Sequence, residues 1–523
     1  MSRSKLAIVG FDCFLNRPFT SQEFSALIYE GKVLNEAPII DLPSSTSPTN
    51  SRDILFETID RALKDCRSNN FNKVALITAN NEAQSDENSV DLLIEKLSDT
   101  WNFSASAFNL DGQTDCLLKA LEIAQILLEA QEVDTVIIAA VNSEANITNA
   151  GAIIVKDYQT VQQNSDRFAA ASADRLYAVI ETAKRIPDNF SPSSQEIKQS
   201  CQQAWETAQI NFTDIGYLEV STPENSPEFL GLIDAYAPMD NNLTCAVGNV
   251  RANLGSLGIT AGIISLIKTA LCLYHRYLPA LPQWDKPENP EIWQNSSFYV
   301  PTLSHPWFLE RGQQKRQAAI DLVERNNSYG HIILSEVANQ TIPSNAYLPY
   351  ASFYLFPLAA EDYSSLQSQL DELATKIDRS SSLPHLALEN FKQFQSKKSS
   401  PYVVAIVGDS KQTIQKEIKQ AKKGIEKAFD REKPWKSPKG SYFTPKPIGQ
   451  QGKIAFVYPG AFNSYLGMGR NLWQLFPQLW ERAASLVKHP GDFFQAKQLY
   501  PRSQTALSKR DLETLETEFT SNP

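Results

Sequence analysis

Short apolar runs alternate with amphipathic helical segments over the first 337 residues, and this rhythm occurs twice. The runs "KLAIVGF", "KVALITA" and "TVIIAAVN" have the length of strands, and segments of helical period such as "SRDILFETIDRALKDC" separate them. Such alternation is typical of an α/β sandwich, for which we expect mainly parallel strand pairing. The second half repeats the pattern from "GAIIVKD" to a last strand near Ile332–Glu336. The repetition predicts an internal duplication.

Length and composition restrict the class of protein. A chain of 523 residues exceeds what one core usually organises, so we expect two or three domains. The net charge of -10 argues against a nucleic-acid partner and against a polybasic membrane surface. The longest apolar stretch, "GITAGIISLIKTALCLY", contains Lys268 and is shorter than the roughly 20 residues of a membrane span. We therefore expect a cytoplasmic protein without a transmembrane segment.

Cysteine and histidine are scattered along the chain. The 6 cysteines show no CxxC spacing, which favours reduced core thiols over disulfides or zinc ligands. The 5 histidines lie far apart in sequence. The sequence therefore predicts no metal site.

One cysteine has a position that enzymes use for nucleophiles. In "NLDGQTDCLLKALEIA" a polar turn leads into a helix, and Cys116 falls in its first turn. Free amides and the helix dipole favour a thiolate there. Asp115 beside it disfavours a thiolate, which favours a packing role for Cys116. Thr114 is suited to cap the helix through its hydroxyl.

The composition changes twice after residue 337. Residues 338–450 are richer in Ser, Lys and Gln and predict a small α/β linker domain, with basic runs "KQAKKGIEK" and "REKPWKSPKG". A new strand in "KIAFVYPGAF" starts a third unit, residues 451–523. Its last forty residues are polar and lack a closing element, so we expect this unit to be incomplete.

Several segments together resemble a β-ketoacyl synthase of the multidomain type. They are "KLAIVGFDCFLNRPFTSQEFSALIYEGK", "GYLEVSTPENSPEFLGLIDAY", "GNVRANLGSLGITAGIISLIKTALCLYHRYLPA" and "SYGHIILSE", in the family's order. The resemblance implies a thiolase-like duplicated αβαβα sandwich for residues 1–337, followed by a ketosynthase-to-acyltransferase linker domain. His331 stands where the family has a structural histidine.

The resemblance also locates the catalytic positions. Such a synthase needs a cysteine to carry the acyl chain and two histidines to support decarboxylation and stabilise the enolate. Thr114 stands at the cysteine position, Ser221 and Ser256 stand at the histidine positions, and Arg251 replaces a lysine. The similarity therefore implies a site without its catalytic groups.

The C-terminal segment "FVYPGAFNSYLGMGR" is similar to the start of an acyltransferase. Ala461 occupies the position of the glutamine that helps to form the family's oxyanion hole. This variant resembles the B subunit of polyunsaturated-fatty-acid synthases and related heterocyst-type glycolipid synthases. A Gly-x-Ser-x-Gly nucleophile elbow does not occur between Gly460 and Pro523.

Three functions are compatible with these residues. The first is a non-catalytic, chain-length-factor-like subunit that dimerises with a competent ketosynthase or with itself. The second is an active acyl-thioester transferase or malonyl decarboxylase that uses Cys116 or another group in a remodelled pocket. Gln113 is a candidate for that group, because some decarboxylating relatives have glutamine in place of the cysteine. The third is a docking module for an acyl carrier protein, which needs a basic patch because such carriers are acidic. None of them requires a bound cofactor, since acyl chains would arrive on the phosphopantetheine of a carrier protein or on CoA.

Overall fold

The structure, a computed structural model, describes the chain in a series of segments: residues 4–34, 50–66, 71–81, 88–111, 116–144, 147–167, 174–186, 192–221, 224–237, 242–323, 329–337, 353–380, 383–397, 399–448, 452–453, 455–457 and 463–521. The chain divides into two compact units. The first unit comprises Met1–Ala37, Pro48–Tyr347 and Ala461–Pro523, and the second comprises Pro38–Ser47 and Leu348–Gly460.

The first half of the larger unit contains five long strands and five helices among its described residues. Its elements are β1 (Leu6–Leu15), β2 (Pro18–Phe19), α1 (Ser21–Tyr29), α2 (Ser51–Asp65), β3 (Lys73–Asn80), α3 (Asn88–Trp101), β4 (Ser104–Asp111), α4 (Cys116–Glu129), β5 (Thr135–Glu144), β6 (Ile147–Asp157) and α5 (Tyr158–Arg167). Helix α1 begins with a reciprocal capping box between Thr20 and Glu23, as this Thr-x-x-Glu spacing predicts.

The second half repeats this series with several short additions. Its elements are β7 (Ala178–Ile186), α6 (Ser194–Ala208), β8 (Ile215–Val220), α7 (Pro227–Ala235), β9 (Cys245–Gly248), α8 (Val250–Leu254), α9 (Ala261–His275), β10 (Tyr277–Leu278), α10 (Pro290–Trp293), β11 (Phe298–Tyr299), β12 (His305–Pro306), β13 (Gln317–Val323) and β14 (Tyr329–Ser335). Single 3-10 turns occur at Phe212–Asp214 and Gly258–Thr260.

The strand order confirms the internal duplication. The first half is ordered β1-β6-β5-β3-β4 and the second half β7-β14-β13-β8-β9, so equivalent strands occupy equivalent places. The pairing directions also agree: the first two pairs in each order are antiparallel and the last two are parallel. Antiparallel pairing of β1 with β7, from Leu6↔Ile180 to Ile8↔Ala178, joins the halves.

Two sequence-based expectations about this sheet were wrong. The pairing is mixed rather than mainly parallel, because β5–β6 and β13–β14 are consecutive antiparallel pairs. The segment "GAIIVKD" does not open the second half. It lies in β6, which inserts between β1 and β5 and so completes the first half.

Helices cover both faces of the sheet in each half. Ala150 and Ala152 of β6 belong to the apolar cluster around α2. Gly151, between them, faces the other side, where an added Cβ would lie 3.0 Å from Ile263 of α9. Helices α4 and α9 contact strands of both halves, whereas α2 packs on the first half and α6 on the second. The layers are therefore helix, sheet, helix, sheet and helix.

Helix α9 is the central apolar helix of this arrangement. In the described residues, the stretch Gly258–His275 is the one helical segment long and apolar enough to cross a membrane, and 83% of it is buried inside the protein. Its composition is therefore that of a core helix surrounded by protein on nearly all sides.

The second unit has its own sheet and core. Its elements are β15 (Tyr354–Ala360), α11 (Tyr363–Arg379), α12 (Leu383–Ser396), β16 (Tyr402–Gly408), α13 (Lys411–Arg431), β17 (Trp435–Lys436) and β18 (Tyr442–Phe443). The antiparallel sheet is ordered β15-β16-β18-β17. Apolar side chains of the three helices pack on it around Phe356 and Ile406. A small α/β unit is therefore present in the region where the sequence predicts a linker domain.

The described residues 463–521 pack on the larger unit, whereas the sequence predicts a separate unit from residue 451. The segment contains only the short helices α14 (Leu472–Leu475), α15 (Leu479–Leu486), α16 (Pro490–Phe493) and α17 (Ala496–Leu499), followed by α18 (Lys509–Ser521). Trp473 and Trp480 pack against Phe308 of the larger unit, each with ring centroids 5.1 Å from it. The segment shares this cluster instead of forming a large core of its own.

Candidate functional site

The positions that correspond to a ketosynthase site lie where α4, α9 and the ends of two strands meet. An added Cβ on Gly262 of α9 would lie 3.2 Å from Leu117 in the first turn of α4 and 3.6 Å from Leu322 of β13. Ser221 directly follows β8, the parallel neighbour of β13. The fold therefore brings the start of α4 and the ends of β8 and β13 to one place.

Ser221 has a structural partner at this place. Its Oγ accepts a hydrogen bond of 2.9 Å from the backbone N–H of Val323, the last residue of β13. The serine thereby joins the ends of two neighbouring strands. A hydroxyl with a pKa far from neutral pH cannot exchange a proton as an imidazole does.

Ser256 lies in an exposed turn between α8 and α9. Its backbone carbonyl accepts a 3.2 Å hydrogen bond from Nδ2 of Asn149, and Asn142, also buried, accepts a 3.4 Å bond from the amide of Ile259. Gly258 has φ +54, and an added Cβ there would come 2.1 Å from Oδ1 of Asn142. The turn is thus held through its backbone, and glycine is required where it approaches Asn142.

Arg251 lies on the short helix α8, and its side chain is exposed. Its backbone N–H donates to Oδ1 of Asn249, the N-cap residue, over 2.9 Å. Arg251 therefore offers a positive charge near this region, on the solvent side of α8.

A fully buried ion pair lies beneath these loops, and the sequence analysis missed it. Lys268 of α9 and Glu219 of β8 are 2.9 Å apart between Nζ and Oε2, and their side chains are 0% and 1% exposed. The Glu219 carboxylate also accepts hydrogen bonds from the hydroxyl of Tyr217 and the backbone N–H of Val250. These bonds connect α9, β8 and the first turn of α8 through one side chain.

The buried pair was detectable in principle. Each residue is a single charge within an otherwise apolar strand or helix, which is rare unless the charge is paired. Burial and, after it, the charge of Glu219 raise the pKa of Tyr217 well above its usual value, so the phenol stays a neutral donor. Tyr217 therefore does not release a proton near neutral pH, and its bond to Glu219 serves to hold the cluster in place.

Three of the histidines are buried in the core, and a fourth lies on a helix of the second unit. His275, His305 and His331 are buried, and burial lowers their pKa to about 4, 4 and 3. The Nε2 atom of His331 lies 3.1 Å from the hydroxyl of Tyr236, within the core between β14 and α6. His385 forms a pair with Glu389 on the exposed helix α12 of the second unit.

Five cysteines have described side chains, and all are buried: Cys13, Cys66, Cys201, Cys245 and Cys272. Burial raises the pKa of each of these thiols above the usual value, for Cys272 to about 12. They are therefore protonated packing groups rather than nucleophiles.

The remaining predicted site residues lie at or beyond the ends of the described segments. Gln113, Thr114 and Ala461 lie outside the described residues, and for Cys116 the backbone is described, but the side chain is not. Helix α4 begins at Cys116. In the described part of the chain, no three His, Cys, Asp or Glu side chains come together as metal ligands.

The comparisons with known proteins agree on one family. Residues 176–284, which include Ser221, Arg251 and Ser256, match the family model for the β-ketoacyl synthase C-terminal domain. The chain is 23% identical over 452 residues to the B subunit of the polyunsaturated fatty acid synthase of Thraustochytrium sp., covering 75% of this chain. This chain is therefore similar to β-ketoacyl synthases.

Other relatives of this ketosynthase-like protein are polyketide synthases. It is 24% identical over 324 residues, or 59% of its length, to the E subunit of the phenolphthiocerol/phthiocerol polyketide synthase of Mycobacterium tuberculosis. The chain spans 21% of the length of this relative and of the Thraustochytrium protein.

Solved structures confirm the thiolase-like fold. A ketosynthase from module 6 of the bacillaene synthase of Bacillus subtilis superposes with a TM-score of 0.53, at 17% identity, over 80% of this chain and 84% of the other. A ketosynthase from module 1 of the Bacillus amyloliquefaciens synthase gives the same TM-score at 16% identity, over 81% and 91%. The fold implied by the sequence resemblance is therefore correct.

Proposed function

We propose that this chain is a non-catalytic, chain-length-factor-like subunit of a synthase that makes long-chain or polyunsaturated lipids or glycolipids in the cytoplasm. The observation that carries the proposal is the state of the two histidine positions. The hydroxyl of Ser221 accepts a hydrogen bond from the backbone of β13, and Ser256 lies in an exposed turn that is held by its backbone. Neither serine supplies the imidazole on which decarboxylation and enolate stabilisation depend.

A free sheet edge supports a partner subunit. Strand β4 pairs with β3 on one side, and no other described strand pairs with its second edge. Its sequence "SASAFNLD" contains neither proline nor lysine, the residues that commonly block edge pairing, and its one charge is at the end. We propose that a catalytically competent ketosynthase, or a second copy of this chain, adds its own strand there.

In this proposal the chain shapes the acyl tunnel of the competent partner. Acyl chains reach the pair on the phosphopantetheine of an acyl carrier protein or on CoA, and no resident cofactor is needed. The buried Lys268–Glu219 pair supports this role because it links α9 to β8 and so maintains their geometry. This link does not depend on a catalytic group at the two serine positions.

A second candidate function uses Cys116. Helix α4 begins at this residue, so Cys116 stands at the N-terminus of the helix, where the backbone amides have no intrahelical partner. That position lowers the pKa of a cysteine that is reachable by solvent. The candidate activity is acyl transfer from a thioester or, with Gln113, decarboxylation of a malonyl group.

Intact-mass analysis distinguishes these functions. The purified chain is incubated with malonyl-CoA and palmitoyl-CoA, and both the protein mass and the released acetyl-CoA are measured, with Cys116→Ala as the matched control. We expect no acyl adduct and no decarboxylation. An adduct on the wild-type chain that is absent from Cys116→Ala would establish the second candidate and refute the first.

A further inference from the structure

An exposed row of lysines runs along α13 in the second unit. Lys416, Lys419, Lys423 and Lys427 are spaced by three, four and four residues, and all are exposed. At 100° per residue these positions fall within an arc of about 80°, and the row extends over about 16 Å of the helix. We name these four residues the lysine stripe.

The stripe lies opposite the buried face of its helix. The buried side chains of α13 include Ile414, Ile418, Ala421 and Ile425, which belong to the core of the unit. The apolar face is therefore already covered within the unit. A helix that inserts into a membrane surface needs a free apolar face, so the stripe is not the polar face of a membrane-inserting helix.

The lysines of the stripe differ from neighbouring lysines in their partners. Lys422 pairs with Asp371, and Lys439 and Lys446 pair with Asp409 and Glu432. For the four stripe lysines, the described residues provide no carboxylate within ion-pair distance. Their charges face solvent and are free to meet those of another molecule.

The surrounding charge is unusual for this chain. Residues 411–446 contain 11 Lys and Arg against 4 Asp and Glu, although the whole chain carries a net charge of -10. One of these acids, Glu417, is buried and hydrogen-bonded to Ser437, so it does not offset the surface charge. Glu426 and Asp430 on the exposed side limit the stripe at its C-terminal end.

We propose that the lysine stripe is the docking surface for an acidic helix of the acyl carrier protein that serves this subunit. A straight, narrow row of ammonium groups complements a row of carboxylates at helical spacing on a facing helix. This inference rests on the proposed function, because it takes the carrier protein as the partner. It adds the place of contact, on the second unit rather than at the ketosynthase-like site.

The test is a binding titration with the full chain. The probe is a fluorescein-labelled acyl carrier protein bearing its phosphopantetheine arm, measured by anisotropy at 50 and 300 mM NaCl. The variant carries Lys→Gln at all four stripe positions. A matched control removes four exposed lysines elsewhere, with the same change in net charge: Lys73, Lys286, Lys392 and Lys488.

We expect the stripe variant to raise the Kd at least tenfold at 50 mM salt and the control to change it less than threefold. The wild-type Kd should rise with salt, because contacts at an exposed surface are screened. Equal Kd values for stripe variant and control, or no binding by the wild type, overturn the inference. So does stripe-dependent binding of phosphatidylserine vesicles at equal or higher affinity. Intact-mass analysis tests the proposed function independently of this titration.

Discussion

Replacing Lys268 by methionine tests whether the buried ion pair holds the ketosynthase-like unit together. Methionine keeps the apolar stem of the side chain and removes the charge. Glu219 would then remain 1% exposed as a carboxylate with two donors, the Tyr217 hydroxyl and the Val250 amide. Removing one partner of a buried pair typically costs about 3–5 kcal/mol, because the other charge stays buried without compensation. We expect a loss of that size in the free energy of unfolding.

The double variant Glu219→Gln with Lys268→Met separates the pair from its surroundings. With both charges removed, the glutamine carbonyl can still accept from Tyr217 or Val250. We therefore expect the double variant to lose less than the sum of the single losses, with a coupling energy of about 2 kcal/mol or more. Lys64→Met is the matched control. Lys64 is 63% exposed in its pair with Asp60, so its loss should be at most about 1 kcal/mol.

Urea unfolding followed by tryptophan fluorescence suits this measurement. Of the 8 tryptophans, Trp435 lies in the second unit and the other seven lie in the larger unit, so the signal reports mainly on the unit that contains the pair. A loss below about 1 kcal/mol for Lys268→Met, or strictly additive losses in the double variant, would falsify the assignment of a stabilising role to the pair.

Two further predictions concern acid stability and the free sheet edge. His305 is held neutral because burial lowers its pKa to about 4, so the unfolded state binds more protons between pH 6.5 and 4. The contribution of neutral His305 to the free energy of unfolding is therefore complete above pH 6.5, and it is lost as the pH falls towards 4. Over this range the free energy of unfolding falls by about 3 kcal/mol because of His305. We expect His305→Phe to lose less stability over the same range, as measured by thermal unfolding scans. Ala107→Lys on the exposed edge of β4 should shift any dimer, homomeric or with a ketosynthase, towards monomer in light scattering, whereas Ala484→Lys on α15 should not. Equal dimer fractions in both variants would argue against pairing at β4.

The sequence predicted the elements of the larger unit better than their pairing. Apolar runs and helical periods identify strands and helices locally, and the Thr20–Glu23 box identified the start of α1. Strand direction depends on how consecutive strands are connected. Nothing in the apolar run of β6 distinguishes a strand that pairs antiparallel with β5 from one that opens a new parallel series. The pattern of apolar residues therefore could not predict the mixed strand pairing.

At the candidate site, too, the sequence revealed local motifs but not the contacts between residues that are far apart in the chain. The resemblance located Ser221 and Ser256 by motif, but the partner of Ser221 is the backbone of Val323, about a hundred residues away. Lys268 and Glu219 are also far apart in sequence, and no spacing rule connects them. The contact between Phe308 and Trp473 depends on how a segment returns to the larger unit, which composition does not reveal.

The contacts of Glu219 and Ser221 suggest what the fold preserves at this site. Replacing a buried ion pair by well-packed apolar residues of similar volume is often neutral or stabilising, so we attribute the presence of this pair to the geometry that it imposes. Glu219 connects α9 to β8 and to the first turn of α8, and two residues later Ser221 connects β8 to β13. These bonds fix the positions of the strand ends and loops, not the protonation state of a reacting group. In the proposed function, a subunit that shapes a neighbour's tunnel needs fixed positions of this kind, whereas a catalyst would need in addition the imidazoles with whose positions the resemblance aligns the two serines.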